Sequence, residues 1–144
     1  MASSISPGAI ATYFLDTNAV SDLMGSASLL DLWLATLPET ASVITCPIVR
    51  GEILYGLERI PEGKRRAKLK QDAMRLLDRF PCEPIPPNAA ERYAATKWSR
   101  EKQGLSMVEN DLWIAATALA LGATLVTRET DFDGIEGLTV LAIR

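Results

Sequence analysis

Histidine is absent from the 144 residues of this chain. That one absence removes the usual zinc sites, Ser-His-Asp triads and imidazole acid–base pairs. Cysteine is scarce. Cys46 and Cys82 stand in unrelated contexts without metal-ligand spacing, and are expected to be reduced thiols in a cytoplasmic protein. No apolar run approaches the ~18 residues of a membrane span. The opening MASSISPGAIA lacks both a basic segment and an apolar core, so it does not read as a signal peptide, and residues 1–11 are expected to be a loose leader. Positive charge is not in excess either. With 15 basic and 18 acidic residues the net charge is −3, which gives no global field for nucleic acid, although a local basic patch can coexist with an acidic whole.

What is present is apolar: 48% hydrophobic content, enough for one domain with a single core. The stretch Val108 to Phe132 dominates. Leu112 to Leu121 is apolar on every side of a helical wheel except at Thr117, the pattern of a buried helix. Gly122 stops it, and Ala123 to Thr127 reads as a short buried strand. Elsewhere strand-like and helix-like pieces alternate. Thr12–Leu15 reads as a strand, Thr17–Met24 as a helix closed by Gly25, Ser28–Leu37 as a helix stopped by Pro38, and Ala41–Thr45 as a second strand. Pro47, suited to a first helical position, opens a helix to Arg59, and Glu62–Phe80 is amphipathic. Pro81–Pro87 is a rigid connector with room for one short strand, Asn88 with Glu91 looks like a capping box, and Leu138–Ile143 is a last strand. Such alternation predicts an α/β fold, a mostly parallel sheet flanked by helices.

The acidic residues then fall into a pattern. Asp16 follows the first strand, at a carboxyl end, where open α/β sheets place their ligand sites. Glu52 lies within the apolar arc of its helix. Asp111 shares a face with Val108, Ala115 and Ala118, while Glu129 and Asp131 follow the strand ending at Thr127. Carboxylates gathered that closely repel and need a cation, and hard oxygen donors select Mg²⁺ or Mn²⁺. Without histidine, water activated by such an ion is the expected nucleophile. Each acid also has a plainer reading. Asp16 would serve as a helix N-cap, Glu52 as a surface partner of Arg50 or Arg59, Asp111 as a first-turn acid favoured by the macrodipole with Ser106 or Asn110 as the cap, and Asp131 as a turn acid.

Four ordered motifs carry a family resemblance: FLDTN at Phe14–Asn18, RGEI at Arg50–Ile53, DLWIAATA at Asp111–Ala118, and LVTR followed by Asp131-Phe132 at Leu125–Phe132. Together they resemble the PIN-domain ribonucleases, and more narrowly the VapC toxins of toxin–antitoxin pairs, from about Tyr13 to Ile143. The resemblance implies a PIN-like fold over residues 12–144, Mg²⁺- or Mn²⁺-dependent cleavage of RNA, a cognate antitoxin and a homodimer. By position it assigns catalytic roles to Asp16, Glu52, Asp111 and Asp131, and metal roles to Asp16 and Asp111. The last acid is ambiguous. This chain reads Thr127-Arg128-Glu129-Thr130-Asp131-Phe132, one residue shorter than many relatives, so Glu129 and Asp131 compete, with Asp131 favoured because Phe132 would anchor it. Thr17, Asn18 and Thr127 are candidates to orient waters or ligands.

Lys64, Arg65 and Arg66 head a basic run that would track phosphates at the pocket rim, or would be a solvated face; Arg92, Lys97, Arg100 and Lys102 are further candidates. Two other classes fit the sequence less well. A phosphotransferase with a nucleophilic Asp would need D-x-D where the chain has Asp16-Thr17-Asn18. A response-regulator-like module would need a Lys after a late strand, and none follows Thr127 or stands near the last strand. An inactive PIN-like binding module is the remaining alternative. The helix face bearing Trp33 is a candidate dimer surface.

Overall fold

A computed structural model describes residues 11–25 and 28–143. Residues 1–10 of the expected leader lie outside the described residues. The chain runs β1 (Thr12–Leu15), α1 (Thr17–Met24), α2 (Leu29–Thr36), β2 (Ser42–Ile44), α3 (Pro47–Glu58), α4 (Lys64–Leu77), α5 (Ala89–Lys102), α6 (Glu109–Leu121), β3 (Thr124–Thr127) and β4 (Val140–Ala142). The four strands form one parallel sheet in the order β2-β1-β3-β4. Adjacent strand residues face opposite ways. Phe14 and Leu15 are both fully buried, as are Leu125 and Val126, so the sheet is covered on both faces, as its unbroken apolar strands require.

The register sets up the functional region. Leu15 lies opposite Val126, and the Asp16 N–H continues the ladder to the Val126 carbonyl at 3.0 Å. From β1 the chain passes outward to β2, then returns across to β3. The boundary between β1 and β3 is therefore the point where the winding direction reverses, and a crevice opens there at the carboxyl ends of the strands. Helix α6 packs on β3, with Ile114, Ala115, Ala116 and Ala118 fully buried. Thr117, the one polar residue of that run, is also buried and donates its hydroxyl to the Trp113 carbonyl at 2.7 Å. Gly122 ends the helix with φ 63°, a left-handed conformation that favours glycine.

Several boundaries differ from the sequence reading. The second strand is shorter than Ala41–Thr45. Thr45 instead makes an isolated bridge to Cys82, with N–H donation from Thr45 to Pro81 and from Glu83 to Thr45, which is the only strand-like pairing of the Pro81–Pro87 connector among the described residues. The amphipathic helix spans Lys64–Leu77, and its expected end at Phe80 is a pair of tight turns that still bury that ring. The last strand is Val140–Ala142. Asn88 makes no side-chain cap, because it already adopts helical angles; the capping box forms at Ser28 and Asp31 instead. Neither Ser106 nor Asn110 caps α6: the position belongs to Val108, without a side-chain bond. Val108 is also exposed, so the buried face of α6 begins beyond it.

Candidate active site

Asp16 is the hinge of the site. It is the N-cap of α1, its Oδ1 accepting the Thr17 N–H at 2.8 Å, so the plain capping role is real. Its second oxygen, Oδ2, accepts the Thr127 hydroxyl at 2.7 Å and the Asn18 side-chain amide at 3.2 Å. The residue is almost fully buried, and burial pushes its carboxyl pKa up. The Thr127 and Thr17 hydrogen bonds pull the other way, while the charges of Glu52 and Glu129 add to the rise.

Thr127, the last residue of β3 and fully buried, joins the halves of the site. Besides donating to Asp16, its Oγ1 accepts from Asn18 Nδ2 at 3.2 Å and from the Glu129 N–H at 3.0 Å. Asn18 accepts the Arg128 N–H at 2.9 Å. The start of α1 and the loop after β3 are thus laced together by side chains that span the sheet's reversal point.

Glu52 reaches the site from α3. It does not pair with Arg50 or Arg59; its Oε1 accepts the Thr17 hydroxyl at 2.7 Å, and Arg50 instead stands 3.9 Å from Asp78. Asp111, in the first turn of α6, is half-buried. Desolvation pushes its pKa up to about 6, and the charges of Asp16, Glu52, Asp131 and Glu129 push in the same direction. Four other carboxylates act on it at once.

These groups line a cleft of about 290 Å³ formed by Asp16, Thr17, Asn18, Ser21, Glu52, Asp111, Arg128 and Glu129. Glu129 lines it and Asp131 does not, against the sequence preference for Asp131. Phe132 is fully buried, the anchor expected of it, but the backbone carbonyl of Asp131 is turned toward Arg100. Asp131 still acts through space on Asp111, more than Glu129 does, whereas Glu129 acts on Asp16.

The donor set is all oxygen, which suits a hard divalent ion. Among the described residues no three His, Cys, Asp or Glu side chains are gathered so closely that they clasp an ion unaided. Mg²⁺ does not require that, since it is usually bound through one or two carboxylates and keeps several waters. Two carboxyls, Asp16 and Asp111, pushed up by burial and by neighbouring acids mark a place where added positive charge is favourable, and the donors fit such an ion.

The sequence model of the PIN domain matches residues 13–138. The chain belongs to the PIN-domain family. It is accordingly a nuclease, a hydrolase. Ribonuclease VapC1 of Rickettsia felis is 32% identical over 98 residues, covering 67% of this chain and 73% of that protein. VapBC2 of Rickettsia felis, solved bound to a DNA fragment from its promoter, superposes with a TM-score of 0.83 at 25% identity, over 92% of this chain and 99% of that one. A toxin–antitoxin complex from Klebsiella pneumoniae gives 0.68 at 25% identity, over 92% and 98%.

Within this PIN fold, the basic run stands apart from the cleft. Arg66 is tied to Glu58 at 2.7 Å and lies 3.9 Å from Glu62, which puts the head of α4 by the far end of α3, six residues and roughly 9 Å along the axis from Glu52. Lys97 is bound to Glu109 and Tyr93, and Arg100 is buried, so two candidate RNA contacts on α5 are already engaged. Sequence reasoning missed Ser21, Arg128 and Asp22. Ser21 is one turn beyond Thr17, a spacing that could have flagged it, while Arg128 and Asp22 meet at 3.1 Å only through the fold.

Proposed function

We propose that this PIN-domain protein is a divalent-metal-dependent endoribonuclease, the toxin of a toxin–antitoxin pair acting in the cytoplasm. The observation that carries the reading is the convergence of Asp16, Glu52 and Asp111 from three elements on one cleft, with the carboxyls of Asp16 and Asp111 held above their ordinary pKa. Asp16 and Asp111 would hold the ion, Mg²⁺ or Mn²⁺. When bound, such an ion supplies activation of water and neutralisation of the charge on phosphate oxygens. The chain's own residues orient and exclude. Thr127 and Asn18 fix the Asp16 carboxylate, and Thr17 fixes Glu52, leaving the other Glu52 oxygen to take a proton from an attacking water. Glu129 or Asp131 completes the acid set, with Glu129 favoured by its place in the cleft lining. Lys64, Arg65 and Arg66 would hold the substrate backbone beyond the rim.

The relatives found as VapBC and toxin–antitoxin complexes support a cognate antitoxin as partner; a homodimer is the assembly that the family resemblance implies. Trp33 is packed edge-on against Tyr13 at 4.9 Å, so the free apolar surface of α2 is that of Leu29 and Leu32 rather than the indole.

The test is RNA with Mg²⁺ against the same mixture with EDTA, using wild type, Asp16→Asn and Asp111→Asn. Cleavage confined to wild type with metal, leaving 5′-phosphate and 3′-hydroxyl ends, is expected. Activity retained by either variant, or a 2′,3′-cyclic phosphate product, defeats the mechanism. An antitoxin-like reading frame beside the gene is expected as well.

A further inference from the structure

The loop from Arg128 to Gly137 carries two of the acids and is held from three directions. On the β1 side, the Arg128 and Glu129 N–H groups are bound by Asn18 and Thr127. In the middle, Phe132 is sunk into the core. On the third side stands Arg100 of α5, only 8% exposed, donating Nη2 to the Asp131 carbonyl at 2.9 Å and Nη1 to the Asp133 carbonyl at 3.4 Å.

That third support is unusual in kind. A buried guanidinium ordinarily pairs with a carboxylate, because desolvating an uncompensated charge is costly. No ion pair joins Arg100 to a carboxylate among the described residues, and its Nε is buried without a hydrogen-bond partner. Its bonds go only to loop carbonyls. The loop's own packed anchors are Phe132 and Ile135, and along its α5 edge it borders open space. A cleft of about 580 Å³ separates α5 from it, lined by Thr96, Ser99 and Gln103 on the helix and by Gly134, Glu136 and Gly137 on the loop. Arg100 spans that gap. Such an expensive placement calls for an explanation beyond filling space.

We infer that Arg100 is a positioning residue for cleavage, a strut that sets the height of the acid-bearing loop, and with it the approach of Glu129 and Asp131 to Asp16 and Asp111. The inference rests on the nuclease reading for its catalytic consequence, and on geometry alone for its structural one. A shift in the loop would move Asp131 relative to Asp111 without touching the RNA.

Two variants test it. Arg100→Met keeps the stem and removes both bonds; Arg100→Lys keeps the charge but offers one head for two carbonyls. Hydrogen exchange read at the amides of Asp133 and Ile135, which close the turns to Thr130 and Phe132, should quicken at least ~10-fold in Arg100→Met and less in Arg100→Lys, with core-strand amides unchanged. With Mg²⁺ and an RNA oligonucleotide, kcat should fall by ~10–100-fold in Arg100→Met at unchanged KM, with partial recovery in Arg100→Lys. Wild-type exchange in the loop overturns the proposal, as does a raised KM with kcat intact, which would make Arg100 a substrate contact. If Arg100→Met does not fold, Arg100→Lys decides: wild-type loop exchange and kcat there overturn it. Wild-type protein that cleaves no RNA defeats the nuclease reading, while the exchange measurement still judges the strut.

Discussion

The Thr127 hydroxyl and the Asp111 carboxyl both belong to the cleft, yet removing them should move stability in opposite directions. Thr127 serves Asp16, Asn18 and the Glu129 N–H at once from a fully buried position. Thr127→Val keeps the shape, strips a buried carboxylate of a donor and strands an amide, so a loss of about 1–3 kcal/mol is expected in denaturant melts at neutral pH, with Thr127→Ser largely restoring it. Asp111 is a burden. Its folded pKa of about 6 lies above the ordinary 3.8, so between these values the folded chain binds more protons than the unfolded one. In EDTA the penalty is absent below pH ~4, grows through that window and is complete above pH ~6. Asp111→Asn should therefore match wild type at low pH and exceed it above pH ~6, by on the order of 1–2 kcal/mol, the carboxyl's partial exposure trimming the effect. A variant much weaker than wild type in EDTA would make Asp111 a structural residue. Added Mg²⁺ should raise the wild-type melting temperature with the logarithm of its concentration and leave the variant nearly unmoved. At this scale the sequence was informative where chemistry and position coincide. Asp16, Glu52 and Asp111 were legible because each acid sits in an apolar context. Glu129 against Asp131 was not, since the choice depends on how a ten-residue loop is pinned by the adjacent Thr127 together with Asn18 and Arg100, both distant in sequence.

Among the elements, α4 is where the basic run must be judged. Arg66 is engaged by Glu58, whereas Lys64 and Arg65 are exposed. Replacing Lys64, Arg65 and Arg66 with Gln should weaken RNA binding and flatten the salt dependence by roughly one to two units, fewer than three because one cation is already neutralised. Metal-dependent stabilisation should be untouched. A salt slope equal to wild type returns the helix face to simple solvation. Helices and strands themselves were largely legible, since period and stop signals are local: Gly122, Pro38 and Pro47 fix ends through backbone geometry alone. Caps were not. Asn88 and Ser28 both look suitable, but only Ser28 adopts the extended backbone that lets its side chain turn back to the helix.

For the whole molecule, the parallel α/β architecture followed from alternation, but the strand order did not, because pairing is a property of long-range packing that no local pattern encodes. That order has a kinetic corollary. Strand β1 is made first, yet its place is between β2 and β3, and Thr127 lies 111 positions along the chain from its partner Asp16. The acid cluster cannot assemble until nearly all of the polypeptide has been translated. Topologies dominated by such distant pairings fold slowly, and emerging domains fold as units. Nascent chains arrested just before Thr124 should therefore remain protease-sensitive and inactive on RNA, while chains released at full length become resistant and active. Activity or protection in the arrested form would show that β1 and α1 organise without β3. On the ribonuclease reading proposed above, the winding of the sheet acts as a birth lock: the acids stay apart until the ribosome has released the chain.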